Sequence, residues 1–393
     1  MQISCINNKN ITEKERELHF IIPVYNTLPF LTEIKDTLSN QTSNNFTVLF
    51  VDDGSTDGSG DFLDSLQNQQ DSIEVIHKNN YGLGAARNTG LDFLRNKGVS
   101  NDDYILFLDS DDLLSPETVE KIIAVLHKEP VDILEFQAEL FFENSQAKQQ
   151  LAIHDPYMFE FIKMHGDYSK VRTGIDYLAN INPADFKTTA TTKAYNAGYL
   201  FKNELYFPEG ILHEDILFSF LTMLHAKSVR CLHENLYKIR IRANSIMSNN
   251  RSWNNIKGRF HSVLKAIEEL NNYNLPLSET QQDALSTFIE DWTISNYEDY
   301  KKINKEEIKQ GLMSDFSYGD QWVFKKILIP RREYERSCKV IEETQNKIKD
   351  LDKQIEVLHE QITNIYKSTT WKVGNCLVRP LKKLLHFIKQ EKP

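Results

Sequence analysis

Carboxylates follow two apolar runs in the N-terminal third of the chain. Asp109 and Asp111 stand one residue apart, directly after the apolar run 104–108, and Asp53 follows the run 46–51. Two carboxylates at this spacing can offer oxygens to one hard cation, and Mg2+ or Mn2+ takes such ligands while it bridges to phosphates. The competing interpretation is structural, because acidic residues also favour turns and helix N-termini. The pattern therefore indicates a site for a cation and a phosphate, and the structural interpretation stays open.

A second acidic pair, Glu214 and Asp215, follows the turn-forming residues 208–210. A carboxylate that faces a hydroxyl group can take its proton as the oxygen attacks, which is general base catalysis. The competing interpretation is that both acids cap a helix that the apolar pattern predicts over residues 211–225. The pair is therefore a second candidate for chemistry.

The elements that would position these residues alternate between strands and helices. Apolar runs predict strands at 18–24, 46–51, 73–77 and 104–108, and amphipathic stretches predict helices at 28–40, 61–66, 84–95 and 116–127. Ser115 is the expected N-cap of the last helix, and 229–240 reads as extended. This order predicts an α/β fold with an open, mostly parallel sheet and helices on both faces. Ligands of such sheets bind beyond the carboxyl ends of the strands, where the acids stand.

The patterning divides the chain into parts of different character. We expect a polar segment at 1–16, the α/β domain at 17–250, a helical extension at 251–335, a coiled coil at 336–368 and a basic amphipathic tail at 369–393. In the fourth part, apolar or small residues alternate by three and four positions: Ile341, Thr344, Ile348, Leu351, Ile355, Leu358, Ile362 and Ile365. This is coiled-coil spacing and predicts a homo-oligomer, with packing against the α/β domain as the alternative. The basic tail is typical of a helix that binds an anionic membrane surface, and the alternative is that it is a solvated helix end.

Composition narrows the classes of function. The 393 residues carry a net charge of -10, which disfavours nucleic acid as a partner. Four widely spaced cysteines predict neither a zinc site nor a disulfide framework and fit a reducing cytosol. We expect no signal peptide, because the N-terminal residues are polar, and no membrane span, because no apolar stretch is long enough.

Four segments carry a resemblance to a known family. IIPVYN at 21–26, VDDGSTDGS at 51–59, NNYGLGAARNTGL at 79–91 and FLDSDD at 107–112 resemble, in order and spacing, the motifs of the family 2 glycosyltransferases with the GT-A fold. The similarity runs from about residue 17 to 245. It implies inverting transfer of a sugar from a nucleoside diphosphate sugar, usually a UDP-sugar, with Mg2+ or Mn2+. It also implies a glycan or lipid-linked acceptor in bacterial surface polysaccharide synthesis.

The resemblance also assigns residues to the donor. Pro23, Tyr25 and Asn26 would line the nucleotide pocket, and the carboxylate of Asp53 would accept a hydrogen bond from the base. Gly82 and Gly84 would let the main chain approach the donor closely. Arg87 would bind donor oxygens, or else form an internal salt bridge to Asp53 or Asp109. Asp109 and Ser110 would contact the nucleotide, and Asp109 and Asp111 would form the DXD metal motif, with Asp111 the more direct ligand.

The same resemblance places the catalytic base. Asp215 would take the proton of the acceptor hydroxyl, and Glu214 would position the acceptor or a loop. Arg240, Arg242 and Ser245 are similar to a family segment that closes over the donor, and such a basic loop would neutralise the departing diphosphate. A solvated basic strand is the alternative. His233 is a candidate third metal ligand, against a packed or exposed histidine.

Two other classes of function compete with this one. A nucleotidyltransferase can use a similar sheet and metal-bound phosphates, but it would not need Asp215 in the same place. A non-catalytic assembly scaffold would use the coiled coil alone. The chain lacks the QxxRW signature of processive synthases. The family resemblance implies a cytoplasmic enzyme, peripheral at the inner face of the cytoplasmic membrane.

Overall fold

A computed structural model describes the chain from residue 16 to residue 358, with gaps. The residues outside the description are 1–15, 71, 155–158, 160–161, 163, 183–184, 243–251, 274–275, 301–302, 318–319, 322–323, 325–346, 348–349, 352 and 359–393. The first compact unit is Met1–Phe324 and the second is Lys325–Pro393.

The first half of the sheet is parallel, as predicted. Its strands are β1 (Leu18–Val24), β2 (Phe46–Asp52), β3 (Ile73–His77) and β4 (Tyr104–Phe107), in the order β3-β2-β1-β4. Every residue of β1 and β4 is buried. Near-continuous apolar strands of this kind belong in the middle of a sheet that helices cover on both faces. The strands end at one edge, so the loops that follow them are neighbours.

The second half of the sheet is mixed. Its strands are β5 (Leu113–Leu114), β6 (Ile133–Phe142), β7 (Lys193–Asn196) and β8 (Val229–Ile241), which continue the order as β7-β6-β8-β5. β7 runs antiparallel to β4 and β6, and β5 runs antiparallel to β8, whereas β6 and β8 are parallel. The sheet is therefore parallel in four of its strand pairs and antiparallel in three, and β8 brings its C-terminal end beside the loop after β4.

Helices cover both faces of the sheet and enclose two apolar cores. In the α/β part they are α1 (Leu28–Ser39), α2 (Ser59–Gln67), α3 (Leu83–Lys97), α4 (Thr118–Lys128), α5 (Ser145–His154), α6 (Gly174–Asn180), α7 (Ala197–Lys202) and α8 (Glu214–His225). The extension contains α9 (Trp253–Asn272), α10 (Glu279–Tyr300) and α11 (Lys305–Asp315). These assignments agree with the predicted alternation and with the predicted helical extension.

Two helices begin later than the sequence pattern predicts. α4 begins at Thr118, and Ser115 does not cap it with its side chain, because its hydroxyl donates to the main-chain oxygen of Asn235. α8 begins at Glu214 rather than at residue 211, because His213 takes a left-handed conformation with φ 63° that no helix can include. The second shift places both acids in the first turn of α8.

The second compact unit contains the part of the predicted coiled coil that the structure describes. Its described residues are helical, and Leu351, Ile355 and Leu358 are each about half exposed, at 55%, 49% and 54%. Residues 341, 344, 348, 362 and 365 of the heptad and the basic tail lie outside the description, so the coiled coil remains a prediction. None of the described helices is long and apolar enough to cross a membrane.

Candidate active site

The loops after β1 and β2 are joined by hydrogen bonds. Asn26, with φ 53°, donates its main-chain N–H to the hydroxyl of Ser55 at 3.0 Å, and its side-chain oxygen accepts the main-chain N–H of Thr56 at 2.8 Å. Tyr25 beside it is half exposed at 50%. Pro23 is buried within β1, where it pairs with Val51, so it offers little surface to line an open pocket.

Asp53 is fixed from three directions at the end of β2. Its carboxylate accepts a hydrogen bond from the ammonium of Lys78 at 2.6 Å. It also accepts hydrogen bonds from the main-chain N–H groups of Tyr81 at 3.1 Å and Gly82 at 2.8 Å. The carboxylate has about four acceptor positions, so one remains for a further donor such as a base N–H. The segment before α3 is therefore anchored to the residue that the sequence proposes for base recognition.

Gly84 has a role in packing that the sequence analysis did not anticipate. A side chain at this position would meet the main-chain oxygen of Pro208 at 2.7 Å and the Cγ of Glu214 at 3.3 Å. The missing side chain thus allows α3 to pack against the turn before α8, and the expectation that Gly84 also lets the donor approach the main chain stays a prediction. Gly82, with φ 92°, has nothing within 4 Å of such a side chain among the residues described.

Arg87 joins the two acidic groups that the sequence separates by more than a hundred residues. Its guanidinium, 3% exposed, donates to Asp109 at 2.8 Å and to Glu214 at 2.7 Å. Burial alone would lower the pKa of Arg87, but the charges of Asp109, Glu214 and Asp215 raise it above its usual value. The internal salt bridge to Asp109 is therefore present, and Asp53 uses Lys78 instead.

The three acids after β4 face different surroundings. Asp112 is buried, and its carboxylate accepts the hydroxyl of Tyr237 at 2.8 Å and the main-chain N–H of Arg240 at 2.7 Å. Asp109 and Asp111 keep 32% and 23% of their side chains exposed. Burial and the neighbouring Asp109 raise the pKa of Asp111, against the opposing charge of Arg242. Asp112 is thus an anchor for the turn, whereas the other two acids face outward.

The two arginines near the end of β8 hold this turn. Arg242 forms an ion pair with Asp111 and lies over the ring of Phe30 at 4.7 Å. Arg240 lies within β8 and is 8% exposed, and its guanidinium donates to the main-chain oxygen of Asp111 and to Glu33 at 2.8 Å. The prediction that Arg240 belongs to a loop is therefore wrong, because β8 extends to residue 241. Ser245 lies outside the described residues.

Glu214 and Asp215 form the first turn of α8, beside Arg87. Glu214 is buried, and one of its carboxylate oxygens accepts a hydrogen bond from the guanidinium of Arg87. Asp215 is partly exposed. Burial, together with the like charges of Glu214 and Asp109, raises the pKa of Asp215 to about 7, and Arg87 opposes the shift. A carboxyl group with a pKa near neutrality is suited to proton transfer at physiological pH. Shifts of this kind are typical of functional sites.

Asp109 and Asp111 have the chemistry that a hard cation needs. Each uses one carboxylate oxygen for an arginine, and within the described part of the chain no other side chain donates to the second oxygen of either. Ser110, between them, is 6% exposed. Oxygen ligands of this kind suit Mg2+ or Mn2+, which also retain water and phosphate oxygens. The residues therefore fit the metal that the resemblance implies.

Other candidate ligands lie away from this pair. Glu17, His19 and Asp103 bring ligand atoms within 4.8 Å of one another, but they stand at the edge where β1 and β4 begin. The ring of His19 is buried and bonded to Asp103 at 3.3 Å and to Thr47 at 2.7 Å, as expected of a structural pair. His233 is exposed, and its Nε2 accepts the main-chain N–H of Tyr168 at 3.2 Å, so it is a surface histidine bonded to a neighbouring loop.

Sequence reasoning missed two residues that shape the site. Lys78 binds Asp53, and Tyr237 joins Asp112 to the main-chain N–H of Asp109. The position of Lys78 directly after β3, at the ligand-binding edge, is a signal that could have found it. Tyr237 gives no such signal, because it lies within the long strand β8 rather than directly after a strand.

Comparison with known proteins identifies the class. Residues 19–187 match the model of the family described as Glycosyl transferase family 2. Residues 19–187 therefore form a domain of this family of glycosyltransferases, in agreement with the motifs. It is 29% identical over 323 residues to the glycosyltransferase GlyA of Streptococcus pneumoniae, with 79% of this chain and 43% of GlyA covered. The chain thus spans less than half the length of that relative.

Solved structures confirm the fold. The chain is similar to residues 1–349 of TarS from Staphylococcus aureus in complex with UDP-GlcNAc, with a TM-score of 0.54, 19% identity and 79% of each chain covered. It is also similar to the mannosyltransferase PcManGT from Pyrobaculum calidifontis in complex with GDP-Man and Mn2+, with a TM-score of 0.50, 12% identity and 80% of each chain covered. The predicted GT-A fold, with a mostly parallel sheet and helices on both faces, is confirmed.

Proposed function

We propose that this chain is an inverting glycosyltransferase that moves a sugar from a nucleoside diphosphate sugar, most simply a UDP-sugar, to a hydroxyl group. One observation carries the proposal. A single guanidinium, that of Arg87, contacts Asp109 of the DXD motif and Glu214 beside Asp215. Donor-side and base-side acids therefore lie around one centre, as single displacement requires. TarS, in complex with UDP-GlcNAc, supports a nucleoside diphosphate donor.

The donor would lie across the carboxyl ends of β1, β2 and β4. Asp53 would accept the base N–H at its remaining acceptor position, and Tyr25 and Asn26 would border the nucleoside. Asp109 and Asp111 would hold Mg2+ or Mn2+, which supplies positive charge for the diphosphate when bound. The Mn2+ in the complex of PcManGT supports a metal of this kind. Arg242 would face the same phosphates, because it already lies beside Asp111.

Asp215 would act as the general base, with Glu214 held by Arg87 as its neighbour. As the acceptor oxygen bonds to the anomeric carbon, its proton passes to the Asp215 carboxylate. The bond between the anomeric carbon and the diphosphate oxygen breaks, and the nucleoside diphosphate leaves with the electron pair. Attack from the side opposite the leaving group inverts the configuration of the anomeric carbon.

The setting is also a proposal. The acceptor would be a glycan or a lipid-linked precursor of a bacterial surface polysaccharide. TarS is a poly(ribitol-phosphate) β-N-acetylglucosaminyltransferase, and 26% identity to it over 227 residues supports a surface-glycan role. The enzyme would work in the cytoplasm, peripheral at the inner face of the membrane through its basic tail, as a homo-oligomer through residues 336–368.

The proposal is tested by nucleotide binding and sugar release. Calorimetric titration with UDP should show tighter binding in Mn2+ for the wild type, and Asp111→Ala should lose this gain. The matched control is Asp102→Ala, which removes an exposed acid from the turn before β4 and should behave as the wild type. Incubation with UDP-, GDP- and dTDP-sugars should then release one nucleoside diphosphate. Equal Mn2+-dependent binding by Asp111→Ala, or synthesis of a nucleotide sugar from a nucleoside triphosphate, would contradict the proposal.

A further inference from the structure

The residue before the two acids of α8 has an unusual main-chain conformation. His213 has φ 63° and ψ 40°, in the left-handed region that residues with a side chain rarely occupy. Glu214 and Asp215 follow it directly as the first residues of the helix. The conformation of His213 therefore sets the direction in which α8 starts and the direction of the Asp215 side chain. Such a conformation persists only where surrounding groups hold it.

The group that holds the His213 ring belongs to the helical extension. The side-chain amide nitrogen of Asn255 in α9 lies 3.2 Å from Nε2 of His213. The amide oxygen of the same Asn255 accepts the main-chain N–H of Ser252 at 3.3 Å and its hydroxyl at 2.7 Å, which orients the nitrogen toward the ring. Burial and the charge of Arg259 lower the pKa of His213 to about 4. A neutral ring leaves Nε2 as an acceptor for the amide.

The main chain of the same turn is held by a second contact. A side chain at Gly258 in α9 would come within 2.0 Å of the main-chain oxygen of Leu212. Only glycine therefore lets α9 approach the turn so closely. α9 is itself braced by α11, because Trp253 donates its main-chain N–H to Glu307 at 2.9 Å and its indole N–H to Asp315 at 2.8 Å.

We propose that Asn255 and Gly258 are positioning residues that hold the His213 turn and thereby aim the Asp215 carboxylate at the acceptor hydroxyl. This inference rests on the proposed function, in which Asp215 is the base. The helical extension is then part of the catalytic unit, although none of its described residues forms a hydrogen bond with the carboxylates of Glu214 and Asp215. Motif reasoning cannot find such a role, because Asn255 lies forty residues after Asp215 in a stretch that reads only as helix.

The test compares Asn255→Ala with a matched cap variant in the same extension. Asn304 caps α11 by accepting the main-chain N–H of Glu306 and lies in a different helix from Asn255. Both alanine variants should lower the melting temperature, since each removes a side-chain acceptor for a main-chain N–H at a helix N-terminus. Only Asn255→Ala should also lower kcat for sugar transfer, by about tenfold or more, because a small misalignment of a catalytic group slows the reaction strongly. The KM for the donor should stay within about twofold, because Asp53 and Asp111 are untouched.

Two further variants separate positioning from stability. In His213→Gly the main chain adopts the left-handed conformation freely, so Asn255→Ala should have no further effect on kcat in that background. Asn255→Asp keeps an oxygen for Ser252 but presents a carboxylate to the ring, so NMR titration should show a raised pKa for His213. An unchanged ring titration would contradict the contact itself.

The outcomes distinguish this inference from the proposed function. If Asp215→Asn is inactive but Asn255→Ala keeps the wild-type kcat and only melts earlier, the positioning role is wrong and the proposed base stands. If Asp215→Asn transfers sugar at the wild-type rate, the assignment of Asp215 as the base is wrong, and the positioning role of Asn255 and Gly258 is wrong as well.

Discussion

Asp215 is the residue whose chemistry is easiest to test by pH. Its pKa is raised to about 7 by burial and by the like charges of Glu214 and Asp109. A general base works only when deprotonated, so kcat/KM should rise with pH through about 7 and level off above it. Asp215→Asn should lose activity by about 100-fold or more and lose this rise.

A suitable control for the pH profile is Asp291 in α10. Its pKa is also raised, by burial and by Glu290, but it lies in the helical extension. Asp291→Asn should keep the wild-type profile of kcat/KM against pH. A wild-type profile that is flat across neutral pH would contradict the assignment of Asp215 as the titrating base.

Arg87 is the residue on which the electrostatics of the site depend. Arg87→Met leaves the carboxylates of Asp109 and Glu214 close together without their shared cation. Removing one partner from a buried ion pair costs about 3–5 kcal/mol of unfolding free energy, and exposure of Asp109 reduces this figure. Urea unfolding should show the loss, whereas Arg95→Met, an exposed arginine of the same helix, should lie within about 0.5 kcal/mol of the wild type.

The sequence could predict which residues meet in this site but not how they share contacts. Motifs at strand ends predict that Asn26, Asp53 and Asp109 lie at the same edge of the sheet, because parallel strands end at one edge. Whether Arg87 would bind Asp53 or Asp109 depended on distances that spacing does not contain. The close approach of Pro208 to Gly84 could not be predicted from the sequence either, since it joins residues far apart in the chain.

At the scale of elements, β7 shows where pattern reading fails. Residues 141–200 show no clear hydrophobic period in the sequence, yet β7 carries the fully buried Lys193 between β4 and β6. Its ammonium lies 3.4 Å from the buried Glu135 and donates to the main-chain oxygens of Lys187 and Thr189. Propensity scales place lysine on surfaces, so only the completed set of partners explains this strand.

Replacement of Lys193 should therefore destabilise the second half of the sheet. Lys193→Met leaves the charge of Glu135 buried without its partner, and the free energy of unfolding should fall by about 3–5 kcal/mol. Lys97→Met removes the surface pair with Glu74 and should cost about 1 kcal/mol or less. Lys193→Met combined with Glu135→Leu should recover much of the loss, as measured by urea unfolding. No recovery would mean that packing, rather than charge, dominates at this position.

At the scale of the whole molecule, the prediction that remains open is self-association. The second compact unit includes Leu351 and Leu358, which are about half exposed at predicted core positions of the heptad. Val357 is exposed to a similar degree, at 53%, but lies off the heptad seam. The sequence predicts the seam because it repeats by three and four, but a pattern within one chain does not fix the number of partners.

Light scattering on the full chain tests this prediction. The wild type should have a mass of at least twice that of the 45.7 kDa chain. Leu351→Glu combined with Leu358→Glu should be monomeric, since each places a charge in the apolar seam. Val357→Glu should assemble as the wild type does. A monomeric wild type would contradict the coiled coil.

The double contact of Arg87 has a consequence for the order of substrate addition. One guanidinium touches Asp109, where the donor phosphates would lie, and Glu214, next to the base. When a bound nucleotide and its cation draw Asp109 away from Arg87, the electrostatic potential at the Asp215 carboxylate changes. The alcohol would therefore meet a competent base only after the donor is seated, which gives compulsory-order kinetics. The released nucleoside diphosphate would then compete with the donor but not with the alcohol.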